Sequence, residues 1–279
     1  GGAISSSSAI SSTRGTTITA NGSANTKGSW TTIISSTTLA GNGLLIQLEG
    51  QQPTTSVATC LLVDIGIGSA GNEVVICPNL AVNITCYTNL MAVGVAHYYF
   101  PIGLPAGTRV SARYQGARTD NTLNARVDVL GSGTGYVAGT GTLEAWGPDT
   151  SASKLVELDP GGTANTKGSY SQLIASTARK SREITLCFVN PDNDSSGTAQ
   201  TRKMWSVDFA IGAASSEQII VPDVQIGRGW SLNHGPHTLR LPITVPAGVR
   251  VSARCACTVN TSSPTTAIRK IGVAAYGLG

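Results

Sequence analysis

The sequence predicts an all-β protein made of two tandem antiparallel β-sandwich modules of jelly-roll type. Three observations predict this fold class: an internal repeat that runs through the chain in order, a two-residue alternation of apolar and polar positions, and frequent turn residues. Gly, Pro, Asn or Asp separates the short alternating segments, as expected for seven to nine strands in each module.

The repeat is visible first in two short motifs. Residues 24–30, ANTKGSW, return as residues 164–170, ANTKGSY, at an offset of 164 − 24 = 140. Residues 63–68, VDIGIG, return as residues 207–212, VDFAIG, at an offset of 207 − 63 = 144. The preserved order predicts a duplicated module.

The longest matching segment confirms the duplication within the sequence itself. Residues 101–113 read PIGLPAGTRVSAR and residues 242–254 read PITVPAGVRVSAR, with ten of thirteen positions identical. Each copy contains Pro-Ala-Gly, in which Pro fixes the backbone angle and Gly can adopt a positive φ, so a tight turn is expected there.

The alternation of apolar and polar residues predicts strands. In residues 109–114, Val110, Ala112 and Tyr114 share one face, because successive side chains of a strand point to opposite sides. Residues 63–68 alternate in the same way. Further strands are predicted at residues 30–35, 44–48, 74–77, 97–100 and 125–130.

The module boundaries follow from an apparent match at the end of each copy. Residues 143–147, LEAWG, resemble residues 273–277, VAAYG, and are expected to close copy one as the latter close copy two. Copy one would then be longer by (145 − 113) − (275 − 254) = 11 residues, which fits a glycine-rich loop at residues 131–141. The expected divisions are a Ser-rich arm at 1–14, module 1 at 15–147, a polar linker at 148–154 and module 2 at 155–279.

The Ser-rich arm has too few apolar residues to build a core of its own. Ile4, Ala9 and Ile10 are its main apolar side chains. We expect it to become ordered only against a partner, for example by joining a neighbour's sheet edge, or else to be a frayed end.

The composition argues against several classes of partner. Charged residues make up 12% of the chain, and the net charge of +4 is not gathered into a basic face, so nucleic-acid binding is not expected. The sequence has no signal-peptide pattern and no apolar run long enough for membrane insertion. A sparsely charged surface suits a protein that works inside an assembly.

No disulfide, metal or cofactor is expected. The six cysteines lie at positions that do not match between the copies, as expected for buried fillers in a protein folded in a reducing compartment. The spacing of His234 and His237 spans a Gly-Pro turn, and Cys255 and Cys257 lack a second ligand pair. Residues 133–138 fit G-x-G-x-x-A without the strand-helix context that dinucleotide binding requires.

The sequence also offers no catalytic residues that can be defended, so a non-enzymatic protein is predicted. There are three histidines and no Gly-x-Ser-x-Gly motif. Two acidic positions recur, Asp64 with Asp208 and Glu73 with Glu217, which could suggest a glycosidase pair. Their recurrence in both copies favours a constraint of the fold, in which each acid closes local hydrogen bonds beside a glycine-rich turn.

Several of these motifs together resemble a repeat of virion proteins of tailed bacteriophages. The resemblance is carried by residues 64–68, Glu73, residues 99–101 and residues 105–113, and it covers most of both modules. Copy two departs from it at Phe209-Ala210 and lacks the aromatic pair before Pro242. The resemblance implies a head decoration, fibre, collar or tail component of a virion made in the host cytoplasm, whose partners are copies of itself and other virion proteins.

A second possible function is adhesion of the virion to a cell-surface glycan. Trp146 and Trp205 lie near turns or strand ends, where an aromatic ring can stack on a sugar. Packing of the same rings in a core is the alternative for both residues.

Overall fold

In a computed structural model the chain folds into two antiparallel β-sandwiches, and the residues that the structure describes form no helix, so none that could span a membrane. The structure describes residues 3–6, 15–51, 59–84, 95–131, 141–189, 203–228, 236–258 and 270–279. The predicted fold class, all-β with jelly-roll-like sandwiches, is confirmed.

Module 1 contains two facing sheets. Its strands are β1 (Ala3–Ser6), β2 (Thr16–Thr19), β3 (Thr31–Ile34), β4 (Gly43–Gln51), β5 (Thr59–Ile67), β6 (Val74–Ile84), β7 (Val95–Phe100), β8 (Val110–Gly116) and β9 (Thr122–Leu130). The long sheet has the order β1-β9-β4-β7, with β2 also on β9, and the short sheet has the order β3-β8-β5-β6. Counted from β2, this is the strand order of a jelly roll.

Module 2 repeats this architecture. Its strands are β10 (Leu143–Trp146), β11 (Pro148–Asp149), β12 (Lys154–Leu158), β13 (Ser171–Ile174), β14 (Glu183–Val189), β15 (Lys203–Ile211), β16 (Gln218–Arg228), β17 (His237–Leu241), β18 (Val251–Cys257) and β19 (Ile271–Leu278). The long sheet has the order β11-β12-β19-β14-β17, with β10 also on β19, and the short sheet has the order β13-β18-β15-β16.

Strand registers match between the modules, except that the pairing of β1 with β9 contains a bulge that the pairing of β10 with β19 lacks. Asp64 lies opposite Arg113 on β5 and β8, and Asp208 lies opposite Arg254 on β15 and β18. The turns that begin the ANTKGSW and ANTKGSY segments also match. Asn25 and Asn165 have φ angles of 55° and 59°, and each donates its amide to the end of the strand that follows the Pro-Ala-Gly turn. The repeat therefore encodes both the strands and their pairing.

The predicted boundary between the modules is wrong. Residues 143–146 do not close module 1. They form β10, which pairs antiparallel with β19, Leu143 opposite Leu278, just as Ala3 lies opposite Leu130 in module 1. The expected linker residues Pro148 and Asp149 pair with β12 inside module 2. The prediction failed because an aromatic residue followed by Gly occurs both at the end of β10, as Trp146-Gly147, and within β19, as Tyr276-Gly277.

The corrected equivalence also reverses the expected length difference. The last strand of module 1 is β9, and its offset to β19 is 278 − 130 = 148, whereas β8 and β18 differ by 251 − 110 = 141. Copy two is therefore longer by 148 − 141 = 7 residues between these strands. Most of the glycine-rich stretch at 131–141 lies outside the described residues.

The N-terminal arm is also corrected in part. Ala3–Ser6 forms β1 on the long sheet of its own module, with Ser6 opposite Asp128, so this piece is ordered without a partner chain. Pairing at a sheet edge uses main-chain hydrogen bonds, which low apolar content does not prevent. Residues 7–14 lie outside the described residues.

Module 2 completes the hydrophobic core of module 1. The central strands of the long sheet of module 2 are buried on both faces: six of the seven residues of β14 and all eight residues of β19 are buried. One face packs inside module 2. The other contributes Cys187, Ala274, Tyr276 and Leu278 to the core of module 1. This double burial explains why β19 is a continuous apolar run, while β9 alternates.

Tyr276 seals the open side of module 1. Its ring packs edge-on against Tyr98 at a centroid distance of 5.8 Å. Its hydroxyl donates to the carbonyl of Asn79 and accepts from the amide of Ala81, both at 3.0 Å, and so satisfies the edge of β6. Burial raises the pKa of both tyrosine hydroxyls well above the usual range, which keeps them protonated.

Candidate functional site

The duplicated acids are engaged in holding the fold. Oδ1 of Asp64 accepts hydrogen bonds from Lys27 Nζ at 2.8 Å and from the Asn79 amide at 2.9 Å, and Oδ2 accepts from Arg113 Nε at 3.0 Å. The Arg113 guanidinium also lies 4.4 Å from the ring centroid of Trp30. These contacts fasten the ANTKGSW loop and Asn79 of β6 to the neighbouring strands β5 and β8.

Module 2 contains the same arrangement. Asp208 accepts from Lys167 Nζ at 2.7 Å, from the Asp223 amide at 3.0 Å and from Arg254 Nε at 2.9 Å. Arg254 stacks over Tyr170. Burial alone would raise the pKa of Asp208, but these hydrogen bonds outweigh it and hold the pKa below its usual value.

The second acidic pair clamps the glycine-rich turn. Glu73 accepts from Arg109 at 2.7 Å, and Glu217 accepts from Arg250 at 2.9 Å. Arg109 also donates to the carbonyl of Gly68, a residue at φ 121°. The predicted role of these acids, local hydrogen bonding beside a glycine-rich turn, is confirmed at both sites. The four acids do not converge on one cleft, because Asp64 and Asp208 belong to different modules.

The two tryptophans considered for sugar stacking are core residues. Trp146 on β10 and Trp205 on β15 are each 1% exposed, and both pack in the core of module 2. A stacking platform must present a free ring face, so neither can serve as one without unfolding. Positions near strand ends suggested exposure, but both side chains point between the sheets.

The remaining candidate residues from the sequence are the cysteines, His234, His237 and residues 133–138. Cys60, Cys77, Cys187, Cys255 and Cys257 are free thiols, and burial raises the pKa of Cys60, Cys187 and Cys255 to about 12. His237 begins β17, whereas His234, Cys86 and residues 133–138 lie outside the described residues. Within the described ranges no group of three metal-ligating side chains occurs.

A different surface, on the outer side of the long sheet of module 1, collects polar side chains. We call it the polar face. Its three rows run across β7, β4 and β9: Tyr99, Leu45 and Asp128; His97, Gln47 and Arg126; Val95, Glu49 and Asn124, with Thr17 of β2 beside Asn124. The alternate residues of the same strands, such as Ile46 and Val127, face the core.

The first half of the polar face is organised around a buried carboxylate. Asp128 accepts from Arg126 Nε at 3.0 Å and from Gln47 Nε2 at 3.2 Å. The Asp128 side chain is almost completely buried, while Arg126 is about one-third exposed. The cation and the amide therefore have fixed orientations, and Arg126 still reaches the solvent.

The second half is a chain of hydrogen bonds. Thr17 Oγ1 donates to Asn124 Oδ1 at 2.9 Å, and Asn124 Nδ2 donates to Glu49 Oε2 at 3.3 Å. Glu49 is buried and Thr17 is exposed. This part of the face is likewise held in place by its own contacts.

The equivalent positions in module 2 have lost all of these polar groups. With offsets of 140 on β4 and 148 on β9, Gln47, Glu49, Asn124, Arg126 and Asp128 correspond to Cys187, Val189, Gly272, Ala274 and Tyr276. All five residues are buried, and Cys187, Val189, Ala274 and Tyr276 belong to the core of module 1. The same surface of the fold is thus an internal interface in one module and a polar face in the other.

Sequence reasoning missed the polar face. Its signal is present in the alternation of Asn124, Arg126 and Asp128 with buried residues. The contrast with module 2 requires β9 and β19 to be treated as equivalent strands. The predicted equivalence between residues 143–147 and 273–277 assigned β19 a different counterpart.

No protein-family model and no curated protein matches the sequence. Solved structures of low similarity include PNGF-II, with 8% identity and a TM-score of 0.38 over 87% of this chain and 58% of that one. PNGase F of Flavobacterium meningosepticum has 9% identity and a TM-score of 0.38, covering 91% of this chain and 88% of that one. A tandem CBM22 domain from Paenibacillus barcinonensis Xyn10C has 9% identity and a TM-score of 0.26, covering 85% and 79%. This chain spans a little over half of PNGF-II, and the fold assignment stands on its own strand order.

Proposed function

We propose that this chain is a non-enzymatic structural protein of a bacteriophage virion, whose modules pack against neighbouring subunits, in the first instance another copy of the same chain. The resemblance of residues 64–68, Glu73 and residues 105–113 to a repeat of tailed-phage virion proteins supports the virion setting. The use of all four duplicated acids in fold-holding ion pairs supports a structural role over a hydrolytic one.

The observation that carries the packing proposal is the uncovered side of module 2. In module 1 the side formed by β6 and β7 is sealed by module 2, and Tyr98 there is 1% exposed. The equivalent of Tyr98 is Leu239, at an offset of 141, and it is 39% exposed; Met204 on β15 of the same module is 50% exposed. Apolar side chains exposed at a position that its twin buries are suited to a subunit contact.

The virion setting is tested on purified particles. We expect the chain to be present in a fixed ratio to the major capsid protein and to be labelled by antibody on intact particles. A chain abundant in infected-cell lysate but absent from purified particles would contradict the proposal.

The packing surface is tested by charge substitution. Leu239→Lys together with Met204→Lys should reduce incorporation into particles by at least tenfold, because each lysine would have to be desolvated in the contact. The matched control is Leu39→Lys, at an apolar residue of module 1 that is 53% exposed. Equal incorporation of all variants, with unchanged melting temperatures, would remove module 2's open side as the contact.

The alternative function, a receptor- or glycan-binding part of a virion, needs a surface other than the two buried tryptophans. The polar face of module 1 is the surface that favours it.

A further inference from the structure

We propose that the polar face of module 1 is a binding site for a neutral oligosaccharide. The site consists of Gln47, Glu49, Asn124, Arg126 and Asp128, flanked by His97 and the ring of Tyr99. It goes beyond the proposed structural role, because a subunit can pack in a particle with or without such a site.

The duplication provides an internal control for what the fold requires. The acid clusters around Asp64 and Asp208 are retained in both modules, as expected for residues that hold the sandwich. The polar face is retained in only one, and module 2 forms the same strands in the same register with Cys187, Ala274 and Tyr276. The sandwich therefore does not need Gln47, Arg126 and Asp128 to fold.

The polar face is also costly to keep. Asp128 and Glu49 are buried carboxylates on a sheet surface. The free-energy cost of removing an ion from water is offset only when the ion has well-placed partners. A polar network of this kind is expected where it serves recognition. The fixed contacts from Arg126, Gln47 and Asn124 orient the groups before any ligand arrives, which lowers the entropy cost of binding.

The chemistry of the face matches sugar hydroxyls. Each hydroxyl both donates and accepts, and the face offers the Arg126 guanidinium, the side-chain amides of Gln47 and Asn124, and the exposed Thr17 hydroxyl, while the buried carboxylates hold these groups in place. Hydrogen bonds from Arg126 to a sugar hydroxyl would be charge-assisted. Tyr99 borders the site and is 40% exposed, but the Arg240 guanidinium lies over its ring at 5.1 Å from the centroid, so Tyr99 contributes the edge of its ring and no stacking face.

Charge and dimensions narrow the ligand class. Two carboxylates and one guanidinium give the face a formal charge of −2 + 1 = −1, which disfavours acidic glycans. The three rows, each two residues apart along a strand, extend about 14 Å, and β9 to β7 spans about 10 Å. A surface of this size suits an oligosaccharide.

Binding is tested by affinity electrophoresis of the full chain in native gels containing mannan, a soluble β-1,3-glucan, galactan or alginate. We expect retardation by at least one of the three neutral polymers and none by the acidic alginate. Arg126→Ala, which installs the residue that module 2 has at this position, should weaken retardation roughly 10- to 100-fold because it removes charge-assisted bonds. Gln47→Ala should weaken it roughly fivefold.

The matched control is Arg182→Ala, which removes an exposed arginine of module 2 and should leave retardation unchanged. Because Arg126→Ala leaves Asp128 without its cation, Arg126→Ala/Asp128→Asn is tested beside it, with melting temperatures for each variant. A folded double variant that is retarded like wild type overturns the proposal, as does wild type that none of the neutral polymers retards. Self-association that Arg126→Ala abolishes, without retardation, would assign the face to a protein partner; particle incorporation is a separate readout.

Discussion

The outer faces of the two long sheets occupy the same place in the fold and have opposite chemistry. In module 2 the face presents Cys187, Ala274 and Tyr276 and is buried beneath module 1. In module 1 it presents Gln47, Arg126 and Asp128, and Arg126 reaches solvent. After a duplication, the framework of strands and ion pairs has been kept, and the two copies of one surface differ in chemistry and in burial.

The largest effect is expected when the two faces are made alike. Tyr276→Asp gives module 2 the residue that module 1 has at this position. The substitution places a carboxylate in the core of module 1 and removes the hydroxyl that hydrogen-bonds the main chain of β6. We therefore expect a loss of about 3–5 kcal/mol in the free energy of unfolding. Urea denaturation measures this loss.

Tyr276→Phe is the control for that substitution. It keeps the ring and removes only the hydroxyl, leaving the Ala81 amide unpaired, at a cost of about 1–3 kcal/mol. If Tyr276→Asp unfolds at the same urea concentration as wild type, the sealed side of module 1 does not stabilise the chain.

An intermediate effect is expected for the shared framework. Asp208→Asn weakens the contacts with Lys167 and Arg254 and should cost about 2–3 kcal/mol at pH 7. The pKa of Asp208 is lowered in the folded chain. Its contribution is therefore complete above the unfolded pKa of about 4 and is lost as the pH falls through the lower folded value.

Melting temperature measured between pH 7 and pH 2 checks this dependence. The wild-type value should fall more steeply than that of Asp208→Asn below pH 4, and the two curves should converge. Parallel curves over the whole range would show that the Asp208 ion pairs add no stability.

The smallest effect concerns a matched difference in packing between the modules. Gly66 lies under Trp30, and a Cβ added there would be 2.7 Å from the indole ring. Module 2 has Ala210 and the smaller Tyr170 at these positions. We expect Gly66→Ala alone to cost about 1–2 kcal/mol through overpacking.

Trp30→Tyr/Gly66→Ala reproduces the pair found in module 2 and should recover most of that loss. A double-mutant cycle by thermal denaturation gives the coupling between the two positions. If the effects of the two single substitutions simply add, the side chains at positions 30 and 66 are not coupled, and the smaller tyrosine ring does not compensate for the added Cβ.

Local patterns predicted most of the framework. The repeat motifs and the period of two located β5, β8 and the Pro-Ala-Gly turn, and the recurrence of Asp64 and Asp208 indicated fold-holding contacts. These features depend on residues close in sequence or repeated at a constant offset, so a single sequence contains the information.

Pairings between distant residues could not be read in the same way. The pairing of β10 with β19 joins residues 143 and 278, and no local pattern distinguishes it from a strand that closes module 1. Trp146 and Trp205 looked exposed because strand ends are near turns, whereas their burial depends on which sheet covers them. The polar face was missed for the same reason.

The contact between Tyr276 and Tyr98 can form only some time after Tyr98 has been synthesised. The two residues are separated by 276 − 98 = 178 positions. At about 5–20 residues per second, a ribosome needs roughly 10–35 s to reach Tyr276 after Tyr98 has been made. Throughout that interval the edge of β6 and the ring of Tyr98 in the nascent module 1 are without the cover that Tyr276 provides in the complete fold.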